Sequence, residues 1–109
     1  MKEALADSFS NVSHSLATTS NIELYFSGST CVSVLIVGNK VFCANVGDSR
    51  AVLAREIDEG VFGAFPLSRD HKPSDQDEME RITKFGGRID SLRDPTGRPM
   101  GPMRVWHMK

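Results

Sequence analysis

The apolar residues at the start of the chain recur at the spacing of an α-helix. Leu5, Phe9, Val12 and Leu16 follow one another at intervals of four, three and four residues, which places them on one helical face. Polar residues fill the opposite face, and the run of Thr, Ser and Asn that follows competes for backbone hydrogen bonds. The pattern predicts a helix over residues 1–20.

From residue 27 to residue 56 the helical spacing gives way to runs of β-branched and small apolar residues separated by turns. Gly38 and Gly47 stand in the two turns, where glycine adopts the positive φ that tight turns require. Three runs have the composition of strands: residues 29–37, 41–46 and 50–55. Short strands joined by tight turns predict an antiparallel meander.

The second half of the chain contains one further helical segment. Residues 57–65 are predicted to be an irregular connection, with a short strand near Val61 as an alternative. Ser74 is a suitable N-cap, acidic residues fill the turn after it and a Gly-Gly pair follows, so a helix is predicted over residues 74–87. Residues 91–104 contain three prolines, which predicts a long loop. Helices that flank antiparallel strands predict the α+β class.

Composition narrows the classes of protein to which the chain can belong. The chain has 109 residues, a net charge of -1, 39% hydrophobic and 25% charged residues, as one globular domain or part of one would have. Because the net charge is close to zero, we expect no overall electrostatic attraction to nucleic acid. No apolar run is long enough to span a membrane, so we expect no membrane partner either. Cys31 and Cys43 lie in strand patterns as small hydrophobic residues, which suits a reducing cytoplasm or nucleus.

Asp48 is the candidate metal ligand of the sequence. It lies in the phrase Gly-Asp-Ser-Arg between two predicted strands. One interpretation is a hairpin turn, in which the Asp48 carboxylate bonds to nearby backbone amides. The other is a carboxylate at a strand end that faces a cleft and binds Mg²⁺ or Mn²⁺, which prefer oxygen ligands. The residues alone favour the turn, and both interpretations stay open.

Two other groups of charged residues also have alternative interpretations. Asp70 and His71 precede an acidic helix start and could form a metal cluster, but a helix entrance is favoured. Four arginines lie near the end of the chain: Arg88, Arg93, Arg98 and Arg104. A solvated surface is the favoured interpretation of these charges. The alternative is that they recognise phosphate or an acidic peptide. No Ser/His/Asp arrangement can be placed, so no catalytic residue is assigned.

Five phrases occur in order along the chain: SGST, NVGDSRAVL, LSRDHKP, ERITKFGGRI and RVW. Each phrase alone is a weak signal. Together, over residues 27–106, they are similar to the metal-dependent Ser/Thr protein phosphatases of type 2C. The helix predicted before residue 27 also fits the pattern of that family.

This resemblance implies a fold and a chemistry. The fold is a four-layer α-β-β-α sandwich, of which this chain would form the central part. Mg²⁺ or Mn²⁺ ions activate a water that hydrolyses phosphoserine or phosphothreonine in a phosphoprotein, without a covalent phosphoenzyme. Asp48 matches a family Asp that binds an additional, weaker metal. Residues 88–109 match the start of a flap beside the cleft, a region implicated in substrate choice.

The departures from the family pattern concern its main metal pair. The motif of the DGHGG type and the downstream Asp ligands do not occur in these 109 residues, so the chain resembles less than half of a catalytic domain. We expect the parent to be a phosphatase and the fragment alone to be inactive. The alternative is a non-catalytic, phosphatase-like binding module. An incomplete sheet would expose the strand from Cys31 to Val37, so self-association is also expected.

Overall fold

The computed structural model describes residues 1–19 and 21–107, so the predicted helix end at Ser20 and the last two residues of the flap-like region lie outside the described residues. The described part contains two helices and six strands: α1 Lys2–Thr19, β1 Cys31–Val37, β2 Lys40–Val46, β3 Val52–Asp58, β4 Val61–Pro66, α2 Gln76–Lys84, β5 Gly87–Arg93 and β6 Pro99–His107. They fall into two compact units, Met1–Asp70 and a second that begins at His71. The α+β class is confirmed.

Helix α1 confirms the helical pattern at the start of the chain. Its apolar stripe, from Leu5 to Leu16, lines an open groove of about 1440 Å³ whose other wall is the β1–β2 hairpin. No side chain of α1 is buried. The helix and the hairpin therefore face each other without closing into a core.

Strands β1 and β2 form the first predicted hairpin. They pair antiparallel in a continuous register, from Cys31 opposite Val46 to Val37 opposite Lys40. Gly38 adopts a φ of 60° in the connecting turn, where glycine avoids the steric cost of a side chain. Both strands and the turn between them are thus confirmed.

The third predicted strand is present as β3, but it pairs with the strand that follows it in sequence and not with β2. Among the described residues β3 pairs with β4, from Val52 opposite Pro66 to Asp58 opposite Val61, and β2 pairs with β1. For residues 57–65 the irregular connection was wrong and the alternative of a short strand near Val61 is confirmed, because β4 begins at Val61. A glycine and a proline obscured the strand pattern, yet the proline stands at the strand end, where it is tolerated.

Helix α2 is shorter than predicted at both ends. It starts at Gln76 with Asp75 as its N-cap, so the prediction of Ser74 as the N-cap was wrong. The Asp75 N–H donates to the carbonyl oxygen of Lys72 at 3.0 Å, which holds Ser74 in a turn ahead of the helix. Beyond the helix, Gly86 adopts a φ of 80° and reverses the chain into β5.

Strands β5 and β6 form a hairpin where a long loop over residues 91–104 was predicted. That prediction was wrong, since only residues 94–98 separate the two strands. The register shifts next to Ser91, where Gly101 and Pro102 are the extra residues of a bulge. Gly101 adopts a φ of 74°, and a bulge accepts a proline because its residues need not donate to the ladder.

The described residues contain no hydrophobic core. No side chain among them is buried, and large apolar groups remain exposed in both units, such as Ile36 at 70% and Phe85 at 80%. No described helix has the length and apolar character needed to cross a membrane. Hairpin ladders and polar contacts therefore hold these elements, and an isolated two-stranded hairpin is only marginally stable in water.

Candidate functional site

The turn from Gly47 to Arg50 links β2 to β3 and carries Asp48. Gly47 adopts a φ of 100°, which L side chains rarely accept. A Cβ on Gly47 would also lie 2.8 Å from the Cβ of Thr30, so the two backbones approach closely. Thr30 Oγ1 and Ser49 Oγ share a hydrogen bond of 2.6 Å. The residue just before β1 therefore braces one side of the turn.

Asn45 braces the turn from within β2. Its side-chain Nδ2 donates to the carbonyl oxygen of Gly47 at 3.2 Å and to that of Arg69 at 2.9 Å. The Asn45 side chain is half-buried, and its Oδ1 is buried without a hydrogen-bond partner among the described residues. One amide group thus joins the turn to a segment 24 residues further along the chain.

Arg50 makes a second link to the same segment. Its Nε and Nη2 donate to the two carboxylate oxygens of Asp70 at 2.8 and 2.9 Å, a bidentate geometry. The hydrogen bonds that Arg50 donates to Asp70, followed by the negative charge of Asp70, raise the pKa of the Arg50 guanidinium. Next to it, the N–H of Ala51 donates to Ser68 Oγ at 2.9 Å. Asp70 therefore serves as an anchor for the turn.

Asp48 itself is exposed at this braced turn. Within the described part of the chain, no hydrogen bond or ion pair involves its carboxylate. The same residues contain no group of three His, Cys, Asp or Glu side chains that could hold a metal ion. Asp48 fits as a single oxygen ligand of a cation shared with other residues, but the described residues do not build a metal site around it. Its role as a ligand stays a prediction.

Two of the four arginines lie close to the Asp90 carboxylate on the β5–β6 hairpin, and a third stands opposite Asp90 on the neighbouring strand. Arg93 Nη2 lies 3.1 Å from Asp90 Oδ1, and Arg88 Nη1 lies 3.9 Å from Asp90 Oδ2. Arg104 is the cross-strand partner of Asp90. Trp106 Nε1 donates to the Asp90 carbonyl oxygen at 3.0 Å, and the Arg88 guanidinium lies 5.7 Å from the Trp106 ring centroid. Asp90, the partner of Arg88 and Arg93, was not among the residues predicted from the sequence.

The fourth arginine lies in the turn of residues 94–98, which Asp94 organises. Its Oδ1 accepts hydrogen bonds from the N–H and the hydroxyl of Thr96 at 2.8 and 2.6 Å, and from the N–H of Arg98 at 2.9 Å. The Thr96 hydroxyl, followed by the Arg98 N–H, lowers the pKa of Asp94. The side chain of Arg98 is exposed. The structure therefore separates Arg98 from the cluster around Asp90.

Comparison with known proteins connects these elements to a family. Residues 1–102 match the family model described as Protein phosphatase 2C. The chain belongs to the protein phosphatase 2C family. The resemblance carried by the five sequence phrases is thereby confirmed, and the match extends over α1 as well.

Curated relatives of the protein phosphatase 2C family cover most of the chain. "Probable protein phosphatase 2C 12" of Oryza sativa subsp. japonica is 41% identical over 105 residues, which are 96% of this chain and 26% of that protein. "Protein phosphatase 2C homolog 3" of Schizosaccharomyces pombe is 45% identical over 87 residues, which are 80% of this chain and 20% of that protein. The chain thus spans only about a quarter of the length of such relatives. No solved structure matches it.

The residues that brace the Asp48 turn were not predicted from the sequence. Asn45 was counted only as part of a strand, and Asp70 was considered for a helix entrance or a metal cluster but not as the partner of Arg50. A signal was present for Asn45, because Asn is depleted in strands and here interrupts a run of apolar and small residues. The partner at Arg69 could not be found from spacing, since it lies 24 residues away.

Proposed function

We propose that the chain is the central part of a metal-dependent protein phosphatase that hydrolyses phosphoserine and phosphothreonine in proteins. The observation that carries this proposal is the family match over residues 1–102. Mg²⁺ or Mn²⁺, when bound, would neutralise phosphoryl charge and lower the pKa of an attacking water. The partner of such an enzyme is a phosphoprotein.

Within that enzyme, this chain would supply one metal ligand and one positively charged surface. Asp48 would contribute one carboxylate to a cation whose other ligands lie outside the described residues. Because one carboxylate cannot hold a pair of metal ions, we expect the 109 residues alone to have no phosphatase activity. The β5–β6 hairpin would contribute exposed guanidinium groups, which suit a phosphorylated or acidic protein surface.

The test is phosphate release from a phosphothreonine peptide by the full-length protein. We expect release with Mn²⁺ and none with a chelator. Asp48→Asn should require a higher Mn²⁺ concentration, whereas Asp58→Asn, the same change at an exposed residue of the β3–β4 hairpin, should not. A full-length protein that releases no phosphate at any Mn²⁺ concentration would overturn the proposal. Release by the purified 109 residues would overturn the expectation that they are inactive alone.

A second candidate is a non-catalytic, phosphatase-like binding module. The exposed side chains of Arg98 and Arg104 favour it, because they offer cations on one hairpin without any metal. Binding of a fluorescent phosphoserine peptide to the full-length protein in the presence of a chelator, lost in Arg98→Gln and Arg104→Gln, would support this candidate. Metal-dependent hydrolysis of the same peptide would decide for the enzyme.

A further inference from the structure

The turn that carries Asp48 lacks the usual support of a hairpin. In the described part of the chain β2 pairs with β1 and β3 pairs with β4, so no ladder closes across residues 47–51. No described side chain of the same unit is buried, so no core of described residues holds the turn either. An unsupported segment of this kind would exchange among several conformations, because ordering each residue costs conformational entropy. Something else has to hold the turn in place.

Asn45, Arg50 and Asp70 provide that support, and we call these three residues the polar clasp. Asn45 precedes the turn and Arg50 ends it, and both reach the same distant segment at residues 69–70. The two links lie on either side of Asp48 in sequence. A turn tied at both ends to one segment has far less freedom than a turn tied at one end.

The orientation of the Asn45 amide follows from its neighbours. Its Nδ2 faces two carbonyl oxygens, those of Gly47 and Arg69, so the group on that side must be the donor. The cost is that Oδ1 is buried without a partner among residues 1–19 and 21–107. A buried acceptor left unsatisfied is uncommon, and here the two hydrogen bonds of Nδ2 fix the amide in the orientation that leaves it so.

The second link is strong because it is bidentate and partly shielded. The Asp70 side chain is 11% exposed, whereas that of Arg50 is 54% exposed. The two parallel hydrogen bonds fix the plane of the guanidinium, which a single ammonium group could not do. A Lys at position 50 would therefore keep the positive charge but could not form the two parallel hydrogen bonds.

We infer that the polar clasp positions Asp48: Asn45, Arg50 and Asp70 hold the Gly47–Ser49 turn in one conformation and keep the Asp48 carboxylate presented to solvent for an approaching cation. The inference rests on the proposed function, which supplies the cation. None of the three residues is a metal ligand. They act through the backbone that carries Asp48.

The experiment is hydrogen–deuterium exchange of the full-length protein, followed in a peptide that covers residues 46–51. Asn45→Asp keeps the size of the side chain but sets a carboxylate oxygen against two carbonyl oxygens. We expect exchange in that peptide about tenfold faster than in the wild type. Arg50→Lys should give a smaller increase. The matched control is Asn39→Asp, the same change in the exposed β1–β2 turn, which should leave residues 46–51 unchanged.

Millimolar Mg²⁺ distinguishes the positioning role from mere stability. In the wild type, Mg²⁺ should slow exchange over residues 46–51. Asp48→Asn should abolish this response without changing exchange in the absence of metal. Asn45→Asp and Arg50→Lys should weaken the response while the melting temperature of the protein stays close to that of Asn39→Asp.

Two results would distinguish failure of the polar clasp from failure of the proposed metal role of Asp48. If Asn45→Asp and Arg50→Lys both leave metal-free exchange of residues 46–51 unchanged, the polar clasp does not hold the turn and the inference is overturned. If the clasp variants accelerate metal-free exchange but the wild type shows no response to Mg²⁺, the clasp holds the turn and the metal role of Asp48 in the proposed function is overturned. Should Asn45→Asp unfold the protein, the milder Arg50→Lys decides the first question.

Discussion

The turn that carries Asp48 and the turn of residues 94–98 are built in opposite ways. In the first, the bracing atoms come from distant parts of the chain, since Arg50 bonds to Asp70 and Asn45 bonds to Arg69. In the second, they come from the turn itself, because Asp94 accepts hydrogen bonds from its near neighbours. One turn depends on the fold of its unit and the other depends mainly on its own sequence.

This difference teaches where each turn is vulnerable. A turn closed by its own aspartate responds to changes within five residues. A turn braced from a distance responds to changes in three separate segments: at Thr30, at Asn45 and around Asp70. Bracing from a distance would suit a carboxylate with a functional role, because the position of that carboxylate is then coupled to the integrity of the surrounding structure.

The largest expected effect comes from producing the 109 residues alone, which leaves the hairpins next to both turns uncovered. The exposed apolar side chains, with Ile36 at 70%, should drive self-association. Sedimentation velocity should show species larger than a monomer. Ile36→Lys should reduce the association more than Asn39→Lys, which adds the same charge to the β1–β2 turn. A monodisperse monomer would contradict this prediction.

The next largest effect is expected from Gly47→Ala, which attacks the turn braced from a distance. The positive φ and the contact with Thr30 together should lower the free energy of unfolding by about 3 kcal/mol. The control is Gly38→Ala, which also has a positive φ but has nothing within 4 Å of the added Cβ. That control should cost about 1 kcal/mol. Urea unfolding of the full-length protein measures both, and equal costs would show that Thr30 does not brace the turn.

A smaller effect is expected at Asp94, in the self-contained turn. Its pKa is lowered from the ordinary 3.8 by the Thr96 hydroxyl and the Arg98 N–H. The stability that Asp94 contributes is therefore fully present above that ordinary value and is lost as the pH falls through the lowered pKa. The Thr96 amide resonance should follow this titration in the wild type and not in Asp94→Asn. Asp7→Asn, on α1, should leave the titration at Thr96 unchanged. A Thr96 amide resonance that does not shift as the pH is lowered would contradict the prediction.

The smallest effect is expected for a local ion pair on α2. Arg81 donates to both oxygens of Glu78 at 2.9 and 2.8 Å, which lowers the pKa of Glu78. Arg81 is largely exposed, so solvent screens the pair. Arg81→Gln should cost about 0.3–0.5 kcal/mol, less at high salt. Lys84→Gln removes the same charge from the same helix and serves as the control in urea unfolding. A loss well above 1 kcal/mol would mean that Arg81 has a further role.

Local pattern accounts for much of the fold and for the family. The apolar stripe from Leu5 to Leu16 predicts α1, and the glycine at Gly38 predicts the β1–β2 turn. Both are confirmed because helix period and turn chemistry act over a few residues. The five ordered phrases over residues 27–106 were likewise enough to indicate the family. The prolines of β6 misled the prediction, since proline breaks a strand only where its missing N–H is needed.

The sequence by itself determined the helix stripe, the β1–β2 turn, the α+β class and the family of this protein. The tertiary structure alone decided that β3 pairs with β4, that a bulge accommodates Gly101 and Pro102, and that Asn45 and Arg50 reach residues 69 and 70. The physical reason is range. Periodicity and turn preference are properties of neighbouring residues, whereas a hydrogen bond across 20 or more residues exists only after the backbone between them has taken its path.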